Sequence, residues 1–220
     1  MKKLFSLFVF TLLFVPLFAQ TEWEKFESQF PDSVVYVMPE FAPGRIYYRN
    51  GEFSNGVFNI AAIDQSLRFK DDEGKILSLV DNSDVARVTI GNKLFLHLSN
   101  GFAEVIDYCP EASLCVIRRL VFKKDAQKGA YGMKSETTSI SSISHVSDDL
   151  GSTYNLSSTA EHRRTETLLL YAKKRTYTPS KKSFIKLFPG KIGFIESYLS
   201  VHEVDFDSVG DVLEFFSAVK

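Results

Sequence analysis

Long apolar runs are scarce in these 220 residues. One stretch, Leu4 to Phe18, is almost wholly apolar, broken only by Ser6, Thr11 and Pro16. A helix needs about 20 such residues to cross a bilayer. This stretch is too short, no later one approaches that length, and no transmembrane span is expected in the rest of the chain. Cysteine is nearly absent: Cys109 and Cys115 stand alone. They lack the C-x2-C spacing of a zinc site and have no histidine beside them, so no metal is expected. The patterns that mount chemistry are missing as well. There is no H-E-x-x-H, no G-x-S-x-G elbow, no phosphate-cradling glycine loop, and the four histidines share no metal spacing. No cofactor is expected. Nor is there an excess of positive charge, with 26 Lys and Arg against 27 Asp and Glu. That balance makes no field for nucleic acid, which is not expected as a partner.

What is present begins at the N-terminus. Lys2 and Lys3 precede the apolar run, and the small Ala19 follows it. Positive, apolar, small is the order of a cleavable secretory signal. Residues 1–19 are read as that signal, with the exported chain starting near Gln20. No Cys follows the run to carry a lipid, so the expectation is a periplasmic or extracellular protein without a lipid anchor. Removing the signal takes away two cations and no carboxylate, which leaves the remainder net acidic.

Residues 20–43 form an N-terminal arm. Trp23, Phe26 and Phe30 suit one face of a short helix, and Pro31, Pro39 and Pro43 stop it from extending. Residues 44–127 read as an antiparallel β domain of successive hairpins. Asn50-Gly51, Asp71 to Gly74, Gly91-Asn92 and Ser99 to Gly101 are turn signals between short alternating strands. Residues 128–165 are a Ser/Thr-rich flexible segment. Within 135–159, 13 of 25 residues are Ser or Thr, too little apolar surface to offset the entropy of ordering them. Residues 166–220 hold a final strand, Leu168 to Thr178, and then a helical period. Ser180 caps a helix carrying Phe184, Leu187 and Phe188. A second helix carries Ile192, Ile195, Tyr198 and Leu199. Asp207 caps a third with Val209, Val212, Leu213 and Phe216 on one face. The fold class is α+β, mainly β: an antiparallel hairpin meander, closed or open, with short C-terminal helices packing on it.

Several stretches resemble a group of uncharacterised exported proteins of Bacteroidetes-type bacteria. They are Gly44 to Gly51, Leu67 to Phe69 with Ile76 to Leu79, Val88 to Phe95, Gly129 to Gly132, Lys182 to Pro189, and Val204 to Phe206. The resemblance covers most of the chain after the signal. It implies no activity, cofactor or catalytic residue. The Cys109–Cys115 pair is not part of it.

Four candidate features remain. Cys109 and Cys115 flank five residues that include Pro110, a spacing that lets a hairpin loop close on a disulfide in an oxidising compartment; free buried thiols are the alternative. Asp32-Ser33-Val34 and Asp207-Ser208-Val209 resemble sites at which such bacteria attach O-glycans, with Ser33 and Ser208 as acceptors. His97 lies mid-strand beside Phe95, either as a half-buried structural residue or as the centre of a site assembled from distant residues. Tyr47, Tyr48, Phe53 and Phe58 flank the first hairpin, either as core or as rings able to stack on a sugar or another protein. The function these features favour is a non-catalytic exported protein that binds or scaffolds an envelope protein or glycan. The rival is an enzyme with a site around His97.

Overall fold

The computed structural model describes residues 30–79, 81–122, 145–147, 153–155 and 162–220. Alternating strands and tight turns produce one ten-stranded antiparallel sheet. Its strands are β1 (Ala42–Tyr48), β2 (Phe53–Ile60), β3 (Leu67–Lys70), β4 (Ile76–Ser78), β5 (Val85–Ile90), β6 (Lys93–Leu98), β7 (Gly101–Tyr108), β8 (Ser113–Phe122), β11 (His162–Ala172) and β12 (Arg175–Tyr177). They lie in the order β12-β11-β8-β7-β6-β5-β1-β2-β3-β4. The sheet is open, not a closed barrel. A separate pair, β9 (His145–Ser147) with β10 (Thr153–Asn155), falls inside the Ser/Thr-rich segment. The rest of that segment and the Trp23 and Phe26 positions lie outside the described residues.

The turn signals act as their chemistry requires. Gly51, Gly74 and Gly91 all have positive φ, and Asp71 Oδ1 accepts the N–H of Glu73 and of Lys75. Three expectations are corrected. Leu168 to Thr178 is not one strand: Lys173 and Lys174, with φ of 50° and 60°, turn β11 back into β12. Two consecutive left-handed lysines do the work usually given to Asn-Gly. β11 itself starts at His162, inside the stretch read as flexible. The cap of the last helix is Ser208, whose Oγ accepts from the Asp211 N–H, while Asp207 donates its own N–H to Asp205.

Each strand alternates between two faces. The inner face carries Ile46, Phe58, Ile60, Leu67, Val88, Ile90, Phe95 and Phe102 in one buried cluster. Toward β11 the same face carries Leu114, Val116, Leu168 and Leu170. Helices α2 (Lys181–Leu187), α3 (Ile192–Val201) and α4 (Val209–Val219) cover this second half. Phe184, Phe215 and Phe216, all fully buried, interleave there, with Phe184 and Phe215 centroids 4.5 Å apart. A line of charge separates the halves. Glu104 on β7 is buried between Lys93 Nζ at 2.8 Å and Arg118, and Arg118 Nε reaches Glu166 at 2.7 Å.

The N-terminal arm continues the line of β1 along β2. A four-residue helix, α1 (Asp32–Val35), leads into an isolated bridge between Tyr36 and Ala61. Asn59, fully buried, clasps the backbone of Met38 through both ends of its amide, at 3.1 and 3.0 Å. Arg164 donates to the carbonyls of Ser33 and Tyr36 and ties the arm to β11.

The sheet curls strongly. The loop after β2 sits five strand places from β8, about 24 Å in a flat sheet at ~4.8 Å per strand. Yet Leu120 donates its N–H to Ala62 O at 2.9 Å. Gln65 Nε2 donates to Arg118 O at 2.9 Å, and Gln65 Oε1 accepts from Phe102 N at 3.2 Å. The loop wedges between β7 and β8 where their register pairing stops, beyond Glu104↔Val116. Gly101 is required beside it: its φ is +108°, and a Cβ there would stand 2.7 Å from Gln65 Cγ and Oε1.

Gly101→Ala is expected to destabilise the protein by more than about 1 kcal/mol, since alanine meets both the positive φ and the Gln65 side chain. Gln65→Ala leaves a buried N–H and a carbonyl unpaired, at a cost of about 1–3 kcal/mol. Urea denaturation of both variants checks this. The double variant is expected to lose less than the sum, because the Gly101→Ala clash disappears with the side chain.

Candidate functional site

The aromatic residues of the first hairpin separate by strand alternation. Phe58 is buried in the inner cluster and Tyr48 packs against it. Tyr47 and Phe53 project from the opposite, outer face. They are register partners on β1 and β2, and Tyr47 is also the register partner of Arg87 on β5. Arg45 shares their face, two residues from Tyr47. The four side chains form an alternating row. The Arg45 guanidinium lies 4.5 Å from the Phe53 ring centroid and 6.0 Å from that of Tyr47, and the Arg87 guanidinium lies 4.5 Å from Tyr47. Arg45 Nε donates to Asn55 Oδ1 at 2.8 Å, which fixes its plane. Phe53 is 55% exposed. Neither Arg45 nor Arg87 has a carboxylate within ion-pair distance among the described residues.

Beyond Arg87 the outer face becomes apolar. Ala103, Cys115, Ile117 and Leu169 are buried there, and the described side chains packed against them, Leu96, Leu98, Val105 and Tyr171, all belong to the sheet itself. The helices sit on the other face. The outer face thus has a cationic-aromatic half and an apolar half.

The structure places the remaining candidates apart from this row. His97 is on the inner face, half-buried at the end of β6. Its ring stacks on Phe102 with centroids 4.7 Å apart, and Nδ1 lies 3.1 Å from Val85 O. Burial pushes its pKa down from the ordinary value; the Val85 carbonyl opposes this, Arg49 adds to it, and Asp81 opposes it more weakly. No hydroxyl or carboxylate hydrogen-bonds the ring among the described residues. Asp81 is engaged by the backbone and hydroxyl of Ser83.

Cys109 and Cys115 are free thiols on opposite faces. Cys115 points into the outer apolar cluster, while Cys109 packs toward the helices, its Sγ 3.4 Å from Ala112 O. Strand alternation aims Cys115 away from the loop that holds Cys109, so the two thiols are not paired in this structure. Burial alone pushes the Cys115 thiol to about 12. Ser33 is exposed at the start of α1, whereas the Ser208 hydroxyl is occupied as a helix cap, accepting from Asp211 N and donating to Asp211 Oδ1. No group of three His, Cys, Asp or Glu placed to hold a metal occurs among the described residues. No described helix is long and apolar enough to cross a membrane.

Sequence reasoning found the rings but missed the arginines. The row depends on direct and diagonal neighbours across three strands, and these appear only once the register is known. Comparisons of the chain with protein-family models, with curated proteins and with solved structures found no match.

Two measurements check these placements. In native protein, iodoacetamide is expected to label Cys109 slowly and Cys115 only after denaturation; a mass two lower than that of the dithiol chain would contradict free thiols. For His97, the sign follows from its depressed folded pKa. Above about pH 6.5 it is neutral both folded and unfolded. As pH falls below that, the unfolded chain takes up the proton first, so stability drops until the folded pKa is passed. His97→Gln is expected to flatten the denaturation midpoint across that window.

Proposed function

We propose that this chain is an exported, non-catalytic, β-rich protein that binds or scaffolds a component of the envelope or extracellular space. The contact surface is the outer face of its sheet. One observation carries the reading: a large ring, Phe53, stands 55% exposed in a row with Arg45, Tyr47 and Arg87. Leaving such a ring in water costs apolar hydration, and the guanidinium stacked on it covers only one side. Tyr, Phe and Arg around an exposed anchor are what binding surfaces are enriched in. The export half of the reading rests on Lys2, Lys3, the Leu4 to Phe18 run and Ala19. The resemblance to exported proteins of Bacteroidetes-type bacteria points the same way.

The test is affinity capture from the envelope of the source cells with the wild-type protein and with Phe53→Ala. A retained component is expected, its recovery reduced at least about tenfold by the variant, as for truncation of an interface anchor. Equal recovery by both proteins, or no component at any abundance, would sink the binding-face reading. Intact mass of the exported protein should correspond to a chain beginning near Gln20.

A further inference from the structure

The row on the outer face has a chemical selectivity of its own. The guanidinium of Arg45 lies over the Phe53 ring and that of Arg87 over the Tyr47 ring, each 4.5 Å from the centroid. Asn55 occupies Nε of Arg45 and leaves its terminal nitrogens without a partner among the described residues. Arg87 has no hydrogen-bond partner among them either. A stacked guanidinium is already ordered, so little rotamer entropy remains to be lost when a planar oxyanion docks on its edge.

We propose, building on the binding-face reading, that this row binds a glycan carrying carboxylates, a chain of uronic-acid type. The carboxylates pair with the Arg45 and Arg87 edges. A sugar ring stacks on the face of Phe53 that Arg45 leaves uncovered, and the Asn55 amide faces the hydroxyls. An extended peptide fits less well. Peptides are commonly held by adding a strand to a free sheet edge. β1 lies between β5 and β2 and offers no unpaired edge, so the row must be read by side chains alone. Rings with hydrogen-bonding side chains beside them match a sugar's apolar face and polar rim.

The experiment titrates the full chain with a galacturonate tetramer, its methyl ester and a glutamate tetrapeptide, followed by calorimetry and by Tyr and Phe ring NMR signals. The acid tetramer is expected to bind and to shift ring signals. The methyl ester should bind at least about tenfold more weakly, the loss expected for charge-assisted pairing. Arg87→Gln and Arg45→Gln should each weaken binding by about tenfold while the chain stays folded at the titration temperature, since neither makes an ion pair among the described residues and each loses at most a surface contact. No binding of the tetramer, equal binding of the ester, or equal binding of the peptide overturns the glycan assignment. If Phe53→Ala still loses a captured envelope component while the tetramer is ignored, the glycan assignment fails alone. If capture fails too, both fail.

Discussion

The fold depends on how a loop of a few residues fills a gap between two strands. β7 and β8 part company after Glu104↔Val116, and the backbone groups of Phe102, Arg118 and Leu120 would be left facing inward without partners. The loop at 61–65 supplies them, through the carbonyl of Ala62 and both ends of the Gln65 amide. That wedge keeps the sheet curled. Curling brings β2 and β3 over β5 to β7, and so gives Phe58, Ile60, Leu67, Phe95 and Phe102 one another as cover. A flat sheet of the same strands would leave that face wet.

The inner face needs two covers because charge interrupts it. Glu104 is desolvated at a cost that its two cations, Lys93 and Arg118, offset. On one side the curl supplies the apolar lid, and on the other side the three helices do. The outer face differs: the described side chains packed against its buried apolar residues all come from the sheet itself. Its apolar half is dense with short side chains such as Ala103 and Cys115, while its other half spends charge on rings instead of on carboxylates.

Local chemistry was legible in the sequence where one residue type suffices. Asn50-Gly51, Gly74 and Gly91 announce their turns because few other residues adopt positive φ. Ser180 announces its helix because its hydroxyl can take the Ser183 N–H. The Lys173-Lys174 turn was illegible, since lysine carries no turn signal and the pairing of Ala172 with Arg175 decides its conformation. Strand order was illegible too. Nothing in Arg45 to Tyr48 shows that β5, some forty residues on, inserts beside it. The binding row shared that fate, and Gln65 looked like any polar loop residue although it is 4% exposed. Long-range register is the missing quantity in each case.

The position of β1 sets an order of assembly. β1 meets β2 at once, across a tight turn, but it must wait for β5 before its second edge is satisfied. Gly44 makes the waiting specific: a Cβ there would stand 2.0 Å from Thr89 O, so β5 can only settle this closely against a bare backbone. β8 waits longer still for β11, and Leu114, Val116, Leu168 and Leu170 wait for α4, the final element. Growing from its amino end, the chain thus carries half of its inner face uncovered until Phe215 and Phe216 arrive. Its exposure to proteases and to self-aggregation is concentrated in that interval of synthesis.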